Sequence, residues 1–533
     1  MARPKYGCEP ASPLAHHSAE HHLHSQSHQI FLTIKRHPEH LWALTDNLRQ
    51  TNPAEGAALV LVAILSAYAS RSAGPAVPIG PGGEAVTDAY MFVHQALVGD
   101  GTLTVRVASL SGAHTSVANA SAGAFGPSSK GQLESRLHPG LAPWAKAGII
   151  LEPDTTQGTA YAAVMVTGSH GVQMQYNYTH GLPGLASPVG PSSSRWLRLT
   201  RVGDVITSYD STDDVHWIEI GTARLGGLPH TVQIGLFVTS PLYFASTTST
   251  GTPSVATAYF DHVSVQGDLP RHSWSGDAIT DVTSARSAST WHQLSAYSFT
   301  ITGSGDIAPL VGGEGVATHW SGASIVNGTI VGFLIVIVLA SLFVTSEYRR
   351  GLIRTTLVAS PRRGRVLAAK AVVAGSLTFA AGAVATAIAE VITRHVFAAN
   401  GNYLFPQSGP DLARVVIGTG LFLALPAALV VALGTMLRRS AGAVVAGLVL
   451  LVLPGILATA TSLPAGADDW LMRVTPTAAF AIQATLPRSN LVTAAYTPAN
   501  GYFPISPWLG LAVLAAHTAV ALGGATWFLR RDA

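Results

Sequence analysis

Few residues of this 533-residue chain have the type and spacing to carry chemistry. A retaining glycoside hydrolase needs two carboxylates about 5 to 5.5 Å apart. The nearest acidic cluster, Asp210, Asp213 and Asp214, falls in an expected hairpin turn, where Asp bonds its own backbone. Glu152 and Asp154 flank Pro153 in another expected turn. Neither makes a convincing acid pair, so no catalytic residue is assigned and the chain is expected not to be an enzyme. Trp144, Tyr178, Trp196 and Trp217 are candidates for an aromatic ligand platform, the other reading being that each fills the core. His16, His17, His21, His22, His24 and His28 cluster without the Cys or carboxylate framework that would define a metal shell, so no metal is assigned. The single Cys8 leaves no intrachain disulfide.

A second concentration of functional types lies in Ser346-Glu-Tyr-Arg-Arg-Gly-Leu-Ile-Arg-Thr-Thr-Leu357, continuing to Pro361-Arg-Arg363. Glu347, Arg349, Arg350 and Arg354 at near-helical spacing, with Tyr348 as an anchor, would suit docking into a groove on a partner. Alternatively, these cations fix topology and reach anionic headgroups. Glu390 is the one acid near the outer end of an apolar run, and is either a gate or a boundary carboxylate in solvent. His517 inside the last apolar run is similarly open. No Gly-x-x-x-x-Gly-Lys-Ser/Thr sequence is present to cradle nucleotide phosphates.

The elements that must position these residues divide sharply. Only 11% of residues are charged, 48% are hydrophobic and the mean hydropathy is +0.34, against about 25% charged in an average soluble domain. With 31 Lys and Arg against 28 Asp and Glu, the charge is too balanced for a nucleic-acid partner. The C-terminal half, 321–533, holds five long uncharged runs, predicting spans at about 325–346, 368–390, 415–437, 441–463 and 507–529. Eleven cations, from Arg349 to Lys370, at Arg438 and Arg439, and at Arg530 and Arg531, lie on one side, against Arg394, Arg414, Arg473 and Arg488 on the other. The first side is therefore expected to be cytoplasmic. That places the region before Ser321 outside the cell, and 56–71 is the one upstream candidate for a crossing. The uncharged stretch Gly56 to Ser70 reaches only about 22 Å. It reads as a short first span, a cleaved signal or a core helix. Residues 1–50 read as a flexible His-rich cytoplasmic tail.

Between these lies a region of period-two alternation, as in Val172-Gln-Met-Gln-Tyr-Asn-Tyr178 and Leu103-Thr-Val-Arg-Val107. It predicts an antiparallel β-sandwich over 86–266, followed by a Ser/Thr/Gly-rich stalk over 267–320. Trp144-Ala-Lys-Ala-Gly-Ile-Ile150, Trp196-Leu-Arg-Leu-Thr-Arg-Val-Gly-Asp204, His216-Trp217 and Gly235-Leu-Phe-Val-Thr-Ser240 resemble the concanavalin A-like lectin/glucanase superfamily. The resemblance implies a jelly roll inserted between spans 1 and 2, with a substrate- or glycan-binding role.

The loop from Ser346 and the stretch Trp470-Leu-Met-Arg-Val-Thr-Pro-Thr-Ala-Ala-Phe-Ala-Ile-Gln483 resemble the permease subunit of a type-2, export-class ABC transporter. That resemblance implies about six transmembrane helices with both termini inside, in a bacterial plasma membrane. It implies Glu347, Tyr348, Arg349, Arg350 and Arg354 as the ATPase-coupling loop, a separate ATPase that binds the ATP, and a second permease, identical or not. This chain itself would carry no cofactor. The competing expectation is a membrane-anchored lectin-like sensor without transport.

Overall fold

The computed structural model describes residues 77–115, 137–185, 194–244, 251–270, 273–280, 289–311, 323–349, 363–399, 403–458, 467–485, 488–492 and 502–531. The tail 1–50, the first span 56–71 and most of the coupling loop lie outside them.

Residues 86–309 form an antiparallel β region. Its strands are β1 (Val86–Asp88), β2 (Tyr90–Thr115), β3 (Leu137–Pro139), β4 (Lys146–Glu152), β5 (Ala162–Thr167), β6 (Val172–Tyr176), β7 (His180–Pro183) and β8 (Arg195–Val202). They continue as β9 (Val205–Ser211), β10 (Ile218–Arg224), β11 (Thr231–Thr239), β12 (Ser254–Asp268), β13 (Ser275–Ile279), β14 (Thr290–Ser295), β15 (Ser298–Gly303) and β16 (Ile307–Pro309). Fourteen strands share one sheet, and β1 with β16 makes a separate two-stranded ribbon.

The 26-residue β2 organises the sheet. Its first half pairs with β11 and β13, and its second half with β8 and β12. Two wings result: a first built on β10-β9-β8, the second half of β2, β12, β15 and β14, and a second built on β13, the first half of β2, β11, β4, β5, β6 and β7. Alternation sends Leu103, Val105, Val107, Leu197, Leu199, Ala258 and Phe260 of the first wing and Val93, Ile149, Leu151, Val164, Val166 and Leu236 of the second into one shared apolar cluster. Each Val, Leu, Ile or Phe among them contributes about 1.5–3 kcal/mol when fully buried.

The second wing is buried on its other face as well. There Tyr90, Phe92, Ile150, Tyr161, Met165, Tyr178 and Phe237 pack with Val86 and Ile307 of the ribbon and Ile279. Strand β4 accordingly reads as a continuous buried run, Lys-Ala-Gly-Ile-Ile-Leu-Glu, rather than an alternating one.

The expected stalk is corrected here. Residues 275–309 contribute β13, β14 and β15 to the sheet and β16 to the ribbon. Phe299 and Ile301 are fully buried in the main cluster, so this segment is part of the fold that the 86–266 boundary cut short.

The C-terminal half is helical: α1 (Ala323–Arg349), α2 (Arg363–Ala399), α3 (Gly409–Leu437), α4 (Ser440–Leu451), α5 (Leu453–Ala458), α6 (Ala467–Val474), a 3-10 helix (Pro476–Gln483) and α7 (Pro507–Arg531). Among the described residues Arg363–Ile392, Gly409–Leu437, Ser440–Ala458 and Pro507–Arg531 are long and apolar enough to cross a membrane, and Gly332–Tyr348 is a shorter apolar helix. The run expected at 441–463 is broken at Val452, ahead of Pro454, whose missing N–H interrupts the helical ladder. Helix α3 begins on a Ser408 cap whose Oγ accepts from the Asp411 N–H, and ends on Arg438 in the left-handed conformation. It is the buried member of the set. Gly420 lies against Phe379 of α2, where a Cβ would come within 2.9 Å of the Phe379 carbonyl oxygen. Phe333, Phe422 and Phe480 stack across α1, α3 and the 3-10 helix at 4.7 to 6.1 Å. Val372, Val384, Val391, Val520 and Trp527 point outward.

Candidate functional site

Two outer faces of the β region concentrate polar and aromatic groups. On the first wing, the outward positions of β8, β2 and β12 line an open groove of 680 Å³ containing Trp196, Arg198, Tyr259, Asp261, His262 and Tyr297. A β-bulge breaks the β12–β2 register between Asp261 and Ser264 and places His262 at φ 52°. Such a strained, non-glycine position re-aims a side chain, and His262 stands 58% exposed with its ring 5.1 Å from that of Trp196. Tyr297 is 66% exposed. Arg106 donates both Nε and Nη2 to Asp261, at 2.7 and 2.5 Å. Burial pushes the Asp261 carboxyl up, but the bonds from Arg106 and His262 bring it net below the usual carboxylate range. Beside the groove the Arg198 guanidinium lies 3.7 Å above the Trp217 ring.

Of the four candidate platform residues, the structure thus brings Trp196 and Trp217 to one half-exposed surface. Trp144 and Tyr178 are not platform residues. Trp144 is buried between His170, stacked at 4.0 Å, and Lys146, 5.8 Å from its ring. Tyr178 is buried in the second wing.

The second wing carries the other cluster. Asp88 of β1 accepts from the Tyr178 hydroxyl at 2.7 Å and the Gly158 N–H at 2.8 Å. Tyr90 donates to Glu152 at 2.6 Å. Lys146, with no side-chain exposure, donates to Asp306 at 2.6 Å and to the Ile307 carbonyl at 2.5 Å. Burial pushes the Asp88 carboxyl up to about 6, against the bonds from Gly158 and Tyr178 that lower it. Burial likewise raises Glu152 well above the carboxylate range, with the nearby Asp88 adding to it. Glu152 Oε1 and the Tyr161 hydroxyl are buried with no hydrogen-bond partner.

Sequence reasoning missed this cluster. Glu152 was expected in a turn because Pro153 follows it, yet it is the last residue of β4 and points into the covered face. Asp154 is in the turn, accepting from the Thr156 N–H at 2.8 Å. Asp213 and Asp214 also hold a turn, Asp213 accepting from the Val215 and His216 N–H groups. Asp210, however, is a buried strand residue of β9, accepting from the Leu185 N–H, with its carboxyl raised chiefly by burial.

In the helical half, Glu347 at the end of α1 pairs with Lys370 of α2. Tyr348 packs half-buried against the helical core and its hydroxyl is enclosed without a partner, so it is not displayed as an anchor. Arg349 closes α1, and Arg350 and Arg354 lie outside the described residues. Glu390 is buried, one turn before Arg394, rather than a solvated boundary residue. His517 meets the Val513 carbonyl of its own helix at 2.8 Å. No group of three or more potential metal ligands occurs among the described residues.

No family model and no curated protein matches the chain. Among solved structures it is similar to a functionally unknown protein from Saccharomyces cerevisiae, with 14% identity over 33% of this chain and 74% of that one and a TM-score of 0.18. It is also similar to scytalido-glutamic peptidase, in one structure with a transition state analog inhibitor (9% identity, TM-score 0.26) and in another with a peptide-based transition state analog (11%, 0.22). Each of these covers 40% of this chain and 98% of the peptidase. The expectation that the chain is not an enzyme is corrected on this finding, since a peptidase stands among its structural neighbours. At these TM-scores the likeness transfers neither activity nor residues to this chain.

Proposed function

We propose that this chain is the transmembrane permease subunit of an ABC exporter, driven by a separate ATPase subunit that binds the ATP, in a bacterial plasma membrane. Six spans with both termini cytoplasmic then carry a β-sandwich of jelly-roll type outside the cell, between the first span and α1. A second permease, identical or not, completes the path through the bilayer.

The observation that supports this reading best is the internal packing of the helices. Helix α3 is enclosed by α1, α2, α7 and the 3-10 helix, with Gly418 against Ile482, Gly420 against Phe379 and Thr518 donating to the Leu425 carbonyl. A helix that only tethers an external domain has no need of such a core, whereas a bundle that rocks between two states does. The Glu347–Lys370 pair ties α1 to α2 where the basic loop leaves the bundle, so a push on that loop reaches both helices together.

Co-expression with candidate ABC ATPases from the same source tests the reading. Co-elution from nanodiscs that is lost in Arg350→Glu/Arg354→Glu, with the bundle still folded, is the expected result. Absence of any associated ATPase, with the double variant behaving as wild type, would overturn it.

The first-wing groove supports a role for the external region in holding a neutral glycan or glycan-bearing substrate. Half-exposed aromatic rings beside Asp261, His262, Gln266 and Ser295 combine stacking surface with planar and hydroxyl hydrogen-bonding groups. The rival function, a membrane-anchored lectin-like sensor, rests on this same groove. It gains if glycans bind there while no ATPase associates.

A further inference from the structure

The ribbon of β1 and β16 pairs only Val86 with Pro309, Thr87 with Ala308 and Asp88 with Ile307. A two-stranded ribbon this short is not stable alone, so its position depends on the bed beneath it. Val86 and Ile307 fill the apolar part of that bed. The rest of the attachment is polar: Asp88 to Tyr178 and Gly158, Gln157 to the Asp88 carbonyl, Lys146 to Asp306, and Gln175 to the Ile307 carbonyl at 3.0 Å. Alongside lies a 520 Å³ cavity bounded by Pro309 of the ribbon, by Ala85 and Leu310 flanking it, and by Tyr403, Phe405 and Leu491 of the helical half. The ribbon thus has empty space next to it and, fourteen positions after Pro309, leads into α1.

We propose that the β1–β16 ribbon is a releasable strap that keeps the outer face of the second wing shut, and that its release uncovers Glu152, Tyr90, Tyr161, Tyr178 and Gln175 as one open surface. Glu152 Oε1 and the Tyr161 hydroxyl, enclosed without partners, are groups that gain hydrogen bonds when the face opens. The strap is defined by contacts within the β region. Only the identity of what pulls it, α1, rests on the transporter reading.

The groups facing Asp88 are Tyr90 on β2, Glu152 on β4, and Tyr161 and Tyr178 beside β5 and β6, with Lys146 at the start of β4 and its partner Asp306 just before β16 beyond them. None but Lys146 is a cation, and Lys146 is committed to Asp306. The closed strap therefore favours a protonated Asp88, whose carboxyl is raised from 3.8 to about 6. A raised carboxyl makes closure strongest in acid and weakens it as pH rises from 3.8 through about 6. Between about pH 5 and about pH 8 Asp88 alone changes the closing equilibrium about tenfold.

Hydrogen exchange of the full chain in nanodiscs, corrected for intrinsic rates, reads the strap directly. The expected result is that peptides spanning 84–89 and 305–311 lose at least about tenfold protection between about pH 5 and about pH 8, Glu152 adding to the Asp88 share, while β11 in the same wing does not change. Asp88→Asn, which still accepts from Tyr178 and Gly158, removes the Asp88 share of that dependence and leaves the share of Glu152, whose carboxyl burial also raises. Tyr178→Phe loosens the ribbon at both pH values and serves if Asp88→Asn does not fold. Carbodiimide labelling of Glu152 at one fixed pH rises in Tyr178→Phe. Loss of protection in ribbon and β11 together, or an Asp88→Asn profile that follows wild type, would overturn the strap. An ATPase that associates normally while the ribbon never opens would sink the strap and leave the transporter reading standing.

Discussion

The two outer faces of the β region are built from the same residue types and reach opposite states. On the first wing Asp261 meets Arg106 at the edge of an open groove, and its carboxyl stays below the ordinary range. On the second wing Asp88 meets a tyrosine and a backbone N–H under a ribbon, and burial raises its carboxyl to about 6. Burial is the largest influence on both; at Asp261 the bonds from Arg106 and His262 together outweigh it, and at Asp88 the bonds from Gly158 and Tyr178 do not. What covers a face matters more to its chemistry than which acids it bears.

Breaking the second face should cost most. Asp306→Ala leaves the Lys146 ammonium buried without its carboxylate, a loss expected near 3–5 kcal/mol, and hydrogen exchange of β4 and β5 would register it. Next comes Tyr178→Phe, which removes a buried bond to a carboxyl and should destabilise the ribbon by about 1–3 kcal/mol. On the open face Asp261→Asn should cost no more than about 1 kcal/mol, less in high salt, because its guanidinium partner is about a third exposed. Smallest of all, Tyr297→Ala should shift thermal stability within about 0.5 kcal/mol yet abolish retention on immobilised neutral glycans. A large stability loss from Tyr297→Ala, or none from Asp306→Ala, would erase the contrast between the faces.

Much of the β region was legible because alternation marks a strand with one wet face. Leu103 to Val107 lies in β2, and the run read from Val172 to Tyr178 is a strand as far as Tyr176, where Asn177 and Tyr178 turn into the left-handed region. The stalk reading failed on composition. Ser298-Phe-Thr-Ile-Thr-Gly303 does alternate, but Ser, Thr and Gly around it masked a signal that was there to be found. The ribbon was not legible, because three-residue strands some 220 positions apart carry no local period and owe their pairing to the bed beneath them. Glu152 was misread for a related reason: Pro153 marks where the strand stops, and says nothing about the side on which the last residue points. Burial separates Trp144 and Tyr178 from Trp196 and Trp217, a distinction the sequence does not carry, because a Trp on an outward strand position and a Trp at a covered corner look alike there. In the helical half the apolar runs located the helices, and the interruption at Val452 was foreshadowed by Pro454.

Strand β2 has a consequence for how the molecule is made. It precedes in sequence every strand it pairs with, and two of its main neighbours, β11 and β12, begin at Thr231 and Ser254. Such long-range pairing is slow to form, because loop closure must precede any gain from contact. During synthesis β3 and β8 can pair parts of its second half earlier, but its first half, Tyr90 to Val98, stays unpaired until β11 arrives more than a hundred residues after β2 ends. An unpaired strand of that length is a template for aggregation, so biogenesis of this protein should depend on holding that half of β2 apart from other chains until β11 arrives.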